Sequence, residues 1–151
     1  MILYGYVIMS NHIYLIIQSE EGKLSDLIRG FKKFTAKTIL NKIENGVESR
    51  ADWMLKRFEF ACKRHTRNEK YQFWQYGSYP EEIFSEKFMW SKWDYIHMNP
   101  VRAGIVSKAS DYLYSSASNY VKDEGIISIT KAGNPAVDVL KPFSISNHYI
   151  W

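Results

Sequence analysis

Two apolar runs open the chain. Leu3-Tyr4-Gly5-Tyr6-Val7-Ile8-Met9 and His12-Ile13-Tyr14-Leu15-Ile16-Ile17-Gln18 are rich in β-branched and aromatic residues, which suits extended chain. Ser10-Asn11 joins them, either as the turn of a hairpin or as a kink in one long strand. Both runs are apolar on both faces, as a buried central strand is, so the expectation is a kinked continuous strand. From Leu24 the period lengthens. Leu24, Leu27, Ile28, Phe31, Phe34 (or Thr35), Ile39 and Ile43 recur at about 3.6 residues and predict an amphipathic helix over 24–44. Arg29, Lys32, Lys33 and Lys37 fall largely outside its apolar stripe, and Asn45-Gly46 ends it. Ser49 caps a second predicted helix over 50–64, with Asp52 in its first turn and Trp53, Leu55, Phe58 and Cys62 along it. A polar, basic loop follows. Residues 71–75 alternate weakly and read as a strand, and 77–80 as a turn. A third helix over 85–98 carries Phe88, Met89, Trp93 and Ile96, and ends at Asn99 because Pro100 lacks an N–H and disfavours helical geometry before it. A short helix near 109–119, a strand over 126–130 and an irregular Pro-containing end complete the pattern.

That order predicts an α+β fold: an antiparallel-type central sheet with helices packed on it. So few strands leave an open edge, and a homodimer sharing its sheets is expected. The chain has 151 residues, 46% of them hydrophobic, which suffices for a real core. Aromatic residues make up 16%, a content that serves core packing and also base stacking. The net charge is only +4, but its distribution is uneven. Between Lys23 and Lys70 basic residues outnumber acidic ones thirteen to six, a patch suited to a phosphate backbone or to a solvated helix face. Cys62 is the single cysteine, which excludes an internal disulfide framework and makes a reducing cytoplasm the expected location. No run of about 18 apolar residues suggests a membrane span. The apolar first residues lack the basic flank and cleavage site of a signal peptide.

Two segments carry chemistry. If His12 and Tyr14 lie on one strand, they project side by side. A neutral phenol is a poor ligand for a hard cation, so alone the pair reads as structural more readily than as a metal edge. In Asp94-Tyr95-Ile96-His97-Met98-Asn99-Pro100-Val101-Arg102-Ala103-Gly104, Tyr95 and Asn99 share a helix face. A nucleophilic phenol beside an amide fits this spacing, and so does core packing with a helix-ending Asn. His97, two positions from Tyr95, points away from it.

Together these segments resemble a family pattern. Tyr6 to Ile16 is similar to the strand bearing the His-hydrophobic-His motif of the IS200-like, HUH-type single-tyrosine transposases, and most resembles the subgroup associated with repetitive extragenic palindromes. Tyr95 to Val106 resembles the helix with that family's catalytic tyrosine. Leu24 to Ile43, Phe73-Trp74-Gln75 and Tyr112 to Tyr120 look like the intervening and following segments, so the resemblance spans roughly residues 3–121. It implies a transposase-like domain over 1–121, with 122–151 as a C-terminal extension, and a ferredoxin-like or RRM-like sheet. It implies single-stranded DNA cleavage and strand transfer through a 5′-phosphotyrosine on Tyr95. His12 and Asn99 would hold Mg2+ or Mn2+, and Arg29, Lys32, Lys33, Lys37 and Arg102 would contact hairpin-forming single-stranded DNA. There are two departures. Tyr14 stands where the family has its second histidine, so a weakened metal site is expected. The strand and helix that usually precede the histidine strand are missing, so an incomplete sheet is expected, with the chain read as N-terminally truncated. Two functional classes follow: an active or weakened DNA nuclease and strand transferase, or a non-catalytic remnant that only binds structured single-stranded nucleic acid.

Overall fold

A computed structural model describes residues 1–63 and 70–132, together with the backbone of 143–146. Two compact units divide the chain. One contains residues 1–24 and 77–151, the other residues 25–76.

The first unit opens with a hairpin. Strand β1 (Ile2–Ile8) pairs antiparallel with β2 (Ile13–Gln18), from Ile2 opposite Gln18 to Ile8 opposite Ile13. The expected kinked strand is therefore corrected to a two-stranded turn, closed by the Met9 amide on the His12 carbonyl at 2.9 Å. Burial on both faces cannot distinguish the two forms, but a hairpin lets each run supply the other's backbone partners. Tyr4 is an extra residue in the ladder, a bulge between Leu3 and Gly5. Strands β3 (Tyr79–Glu82) and β4 (Phe143–Ser146) complete a four-stranded antiparallel sheet in the order β1-β2-β4-β3. β4 comes from the expected irregular end. The predicted strand at 126–130 is absent; the Thr130 amide donates to the Leu3 carbonyl at 2.8 Å and the Ile127 carbonyl accepts from Asn119 Nδ2 at 3.1 Å. The outer edge of β1 is partly taken: Ile8 donates to Tyr114, Ser116 donates to Tyr6, and Val7 bridges Ser115.

Helix α3 (Glu86–His97) starts at Ser85, whose hydroxyl accepts from the Phe88 amide, and closes at Met98. A one-turn helix α4 (Asn99–Arg102) restarts at once with Pro100 in its first turn, where a missing N–H costs nothing. Gly104, at φ 69°, ends that turn. The predicted helix at 109–119 resolves into a 3-10 turn (Ala109–Asp111) and helix α5 (Ala117–Lys122). The core gathers Tyr4, Val7, Tyr14, Ile16, Ile83, Met89 and Ile96. α3 crosses β1 closely at Gly5, where a Cβ would lie 3.5 Å from both Ile96 Cδ1 and Ser116 Oγ.

The second unit is built on α1 (Leu24–Asn45) and α2 (Ala51–Lys63), close to the predicted spans. The predicted strand at 71–75 is not one. That segment is held by side chains and single bonds: the Gln72 amide donates to Phe58 O at 3.0 Å, Phe73 meets Phe58 at 5.3 Å between centroids, and Trp74 Nε1 donates to Thr35 Oγ1 at 2.9 Å. Among the described residues no helix is long and apolar enough to cross a membrane.

Candidate active site around Tyr95

The hairpin and α3 converge on two phenols. Tyr14 is 2% exposed and Tyr95 42% exposed. Their hydroxyl oxygens lie 3.4 Å apart and their rings meet edge-on at 5.6 Å between centroids. The hydroxyl contact is long for an O–H···O bond, so it orients more than it binds. His12 precedes β2, and its ring lies 4.8 Å from that of Tyr14, edge to face. The pleat thus places His12 and Tyr14 side by side, as the i, i+2 spacing predicts. Burial, first of all, pushes the Tyr14 hydroxyl well above the ordinary phenol value. The bond to Tyr95 and that residue's charge add to the shift, and the Arg102 charge offsets part of it. Tyr14 is therefore a neutral phenol at any ordinary pH.

Arg102 sits over Tyr95, its guanidinium carbon 4.9 Å from the ring centroid, and also donates to the Tyr95 carbonyl. Asn99 Nδ2 donates to the carbonyls of Tyr95 at 2.9 Å and Ile96 at 3.3 Å. This closes the helix end and leaves Oδ1 as the amide's acceptor atom. One participant was not foreseen from the sequence. The Lys92 ammonium lies 6.0 Å from the Tyr95 ring centroid and is ion-paired with Glu81. The signal was there in its i−3 position relative to Tyr95.

For Mg2+ or Mn2+ the expected ligands offer few hard donors. With His12 Nδ1 donating to Asn11 Oδ1 at 2.7 Å, the ring's lone pair falls on Nε2. The other expected ligands are the Asn99 amide oxygen and, beside His12, the neutral Tyr14 phenol, and neither is the carboxylate a hard cation favours. Among the described residues no three His, Cys, Asp or Glu side chains gather.

His97 is buried at 1% exposure, away from the exposed Tyr95. Its Nε2 lies 2.7 Å from Ser116 Oγ, which also accepts from the Tyr6 amide at 2.8 Å. Burial lowers its pKa from 6.5 to about 4, a weaker opposing effect coming from a bond to the Trp93 carbonyl. This His-Ser-backbone clamp ties α3 and the start of α5 to β1 and so supports the Tyr95 position. The serine-rich run 115–118 was its only trace in the sequence. The remaining predicted contacts lie on α1 in the other unit. Arg29 is paired with Asp26 at 3.0 Å, Lys33 and Lys37 are exposed, and burial lowers the pKa of the half-buried Lys32. His65 lies outside the described residues.

No protein-family model, curated protein or solved structure matches the chain.

Proposed function

We propose that this chain handles single-stranded DNA in the manner of the IS200-like single-tyrosine transposases, with Tyr95 as the nucleophile. The observation that carries the reading is the approach of the Tyr14 and Tyr95 hydroxyls to 3.4 Å, with His12 stacked edge-on behind Tyr14. Residues 81 positions apart, in the two segments that resemble the family's motifs, meet at one place. In this reading the Tyr95 oxygen bonds phosphorus and the bond from phosphorus to the 3′-oxygen breaks. The phenolic proton's equivalent ends on the released 3′-hydroxyl. The DNA keeps a 5′-phosphotyrosine link, whose retained bond energy lets a second 3′-hydroxyl rejoin strands. Arg102 attracts the phosphate, and Tyr14 offers a neutral O–H toward the attacking oxygen. The sheet with α3 against it is the part of the ferredoxin-like arrangement this reading requires. A homodimer belongs to the same reading, and sedimentation velocity tests it.

A specific observation favours a second reading. Among the described residues the donor set around Tyr95 has one imidazole, His12, and no gathered carboxylates, which suits a remnant that binds hairpin single strands without cutting them. Incubation with end-labelled hairpin single strands, with and without Mn2+, separates the two. An adduct stable in denaturing gels and absent in Tyr95→Phe supports catalysis. Salt-dependent binding without adduct supports the remnant, and no binding removes both.

A further inference from the structure

Helix α2 carries an anomaly the Tyr95 site does not explain. Its inward face holds Phe58 and Cys62, both buried. Trp53 and Phe60 are nevertheless 53% and 66% exposed. At about 100° per residue, Trp53 and Phe60 fall within about 20° of each other and about 140–180° from the buried pair. Two large aromatics thus occupy the middle of the outward face, one heptad apart. Lys56 and Arg57, both exposed, lie between them, and the Arg57 guanidinium sits 5.7 Å from the Trp53 ring centroid. The carboxylates of this helix lie off the stripe. Asp52 and Glu59 fall about 100–120° from Trp53, and Glu59 is paired with Lys63 at 2.9 Å. The central sector therefore holds aromatic rings and cations and no acid.

We infer that this stripe is a second DNA-binding surface, on which bases of single-stranded DNA stack against Trp53 and Phe60 while Lys56 and Arg57 meet the phosphates between them. Stacking on exposed rings tolerates any base, because every base offers a π-face, and the interleaved cations follow the backbone. The charge pattern selects this partner: an apolar protein groove would leave the two cations unpaired at its centre. The choice of DNA rests on the reading given under Proposed function, whereas the stripe itself lies in the unit that lacks Tyr95.

The test uses the full chain carrying Tyr95→Phe, so covalent chemistry plays no part and a failure here is distinct from a failure at Tyr95. Fluorescein-labelled oligo-dT of about 20 nucleotides, long enough for one or more such sites, is titrated by anisotropy across a range of NaCl. Trp53→Ala with Phe60→Ala is expected to weaken binding about tenfold or more, with an unchanged salt slope, and Trp53→Phe to retain most of it. Lys56→Gln with Arg57→Gln is expected to lower the slope of log K against log salt by about 0.7 for each phosphate no longer neutralised. Far-UV circular dichroism reports whether α2 is kept, and glutamine replaces alanine at 53 and 60 if it is not. Binding of the aromatic pair variant within twofold of the parent overturns the inference. So does a loss that is equal on duplex DNA, or seen only on anionic lipid vesicles.

Discussion

Lowering the pH from 7 to 5 is expected to cost the folded protein about 2 kcal/mol through His97 alone. The ring is 1% exposed, enclosed by Trp93 at 4.1 Å and Tyr120 at 6.2 Å between centroids, and bonded to Ser116. Its pKa falls from 6.5 to about 4 on folding. The folded state therefore disfavours the proton that the unfolded chain takes up below pH 6.5. The loss begins as pH falls through that value and saturates below 4, at about 3.4 kcal/mol for a shift of about 2.5 units. Above pH 7 the contribution is flat. Urea unfolding of the wild type and of His97→Gln at pH 7.5, 6, 5 and 4.5 isolates the effect, since the two proteins differ only at residue 97. The variant is expected to be less stable at pH 7.5 and to lose less on acidification, with the two curves drawing together by pH 5. Parallel losses in the two proteins would refute the reasoning.

Ser116→Ala removes the acceptor of the Tyr6 amide and the partner of His97 Nε2 together, and is expected to cost about 2–4 kcal/mol in the same urea assay; a loss below 1 kcal/mol counts against the clamp. Tyr14→His places a second imidazole beside His12, and Mn2+ affinity by electron paramagnetic resonance is expected to rise about tenfold or more; unchanged affinity would show that the two side chains do not face one cation. Lys33→Gln with Lys37→Gln, both exposed on α1, is expected to weaken binding of hairpin single strands and to flatten its salt dependence. A loss that persists equally at high salt contradicts a phosphate role for these lysines.

The helices were legible because their apolar stripes are long and periodic. α1, α2 and α3 begin and end within one or two residues of the expected 24–44, 50–64 and 85–98. The two opening strands were legible as strands but their pairing was not, because a short apolar run specifies burial and leaves the partner open. Residues 3–18 suit a kinked strand as well as a hairpin until backbone partners are counted. Residues 71–75 carry a strand's alternation without its ladder, because Gln72, Phe73 and Trp74 are each anchored to a helix. The four-residue alternation Phe143-Ser144-Ile145-Ser146 was too short to stand out from the tail. At the candidate site, spacing alone placed His12 beside Tyr14 and Asn99 one turn after Tyr95. That Tyr14 would reach Tyr95 depends on α3 crossing β1 at Gly5, which is a matter of tertiary packing.

The most direct test of the Tyr95 assignment is mass-spectrometric mapping of the protein after reaction with a hairpin single strand and nuclease trimming. A residual nucleotide joined by its 5′-phosphate to the Tyr95 side chain is the expected product. A nucleotide on Tyr14 instead, or every tyrosine-containing peptide recovered unmodified from protein that binds the strand, would contradict it.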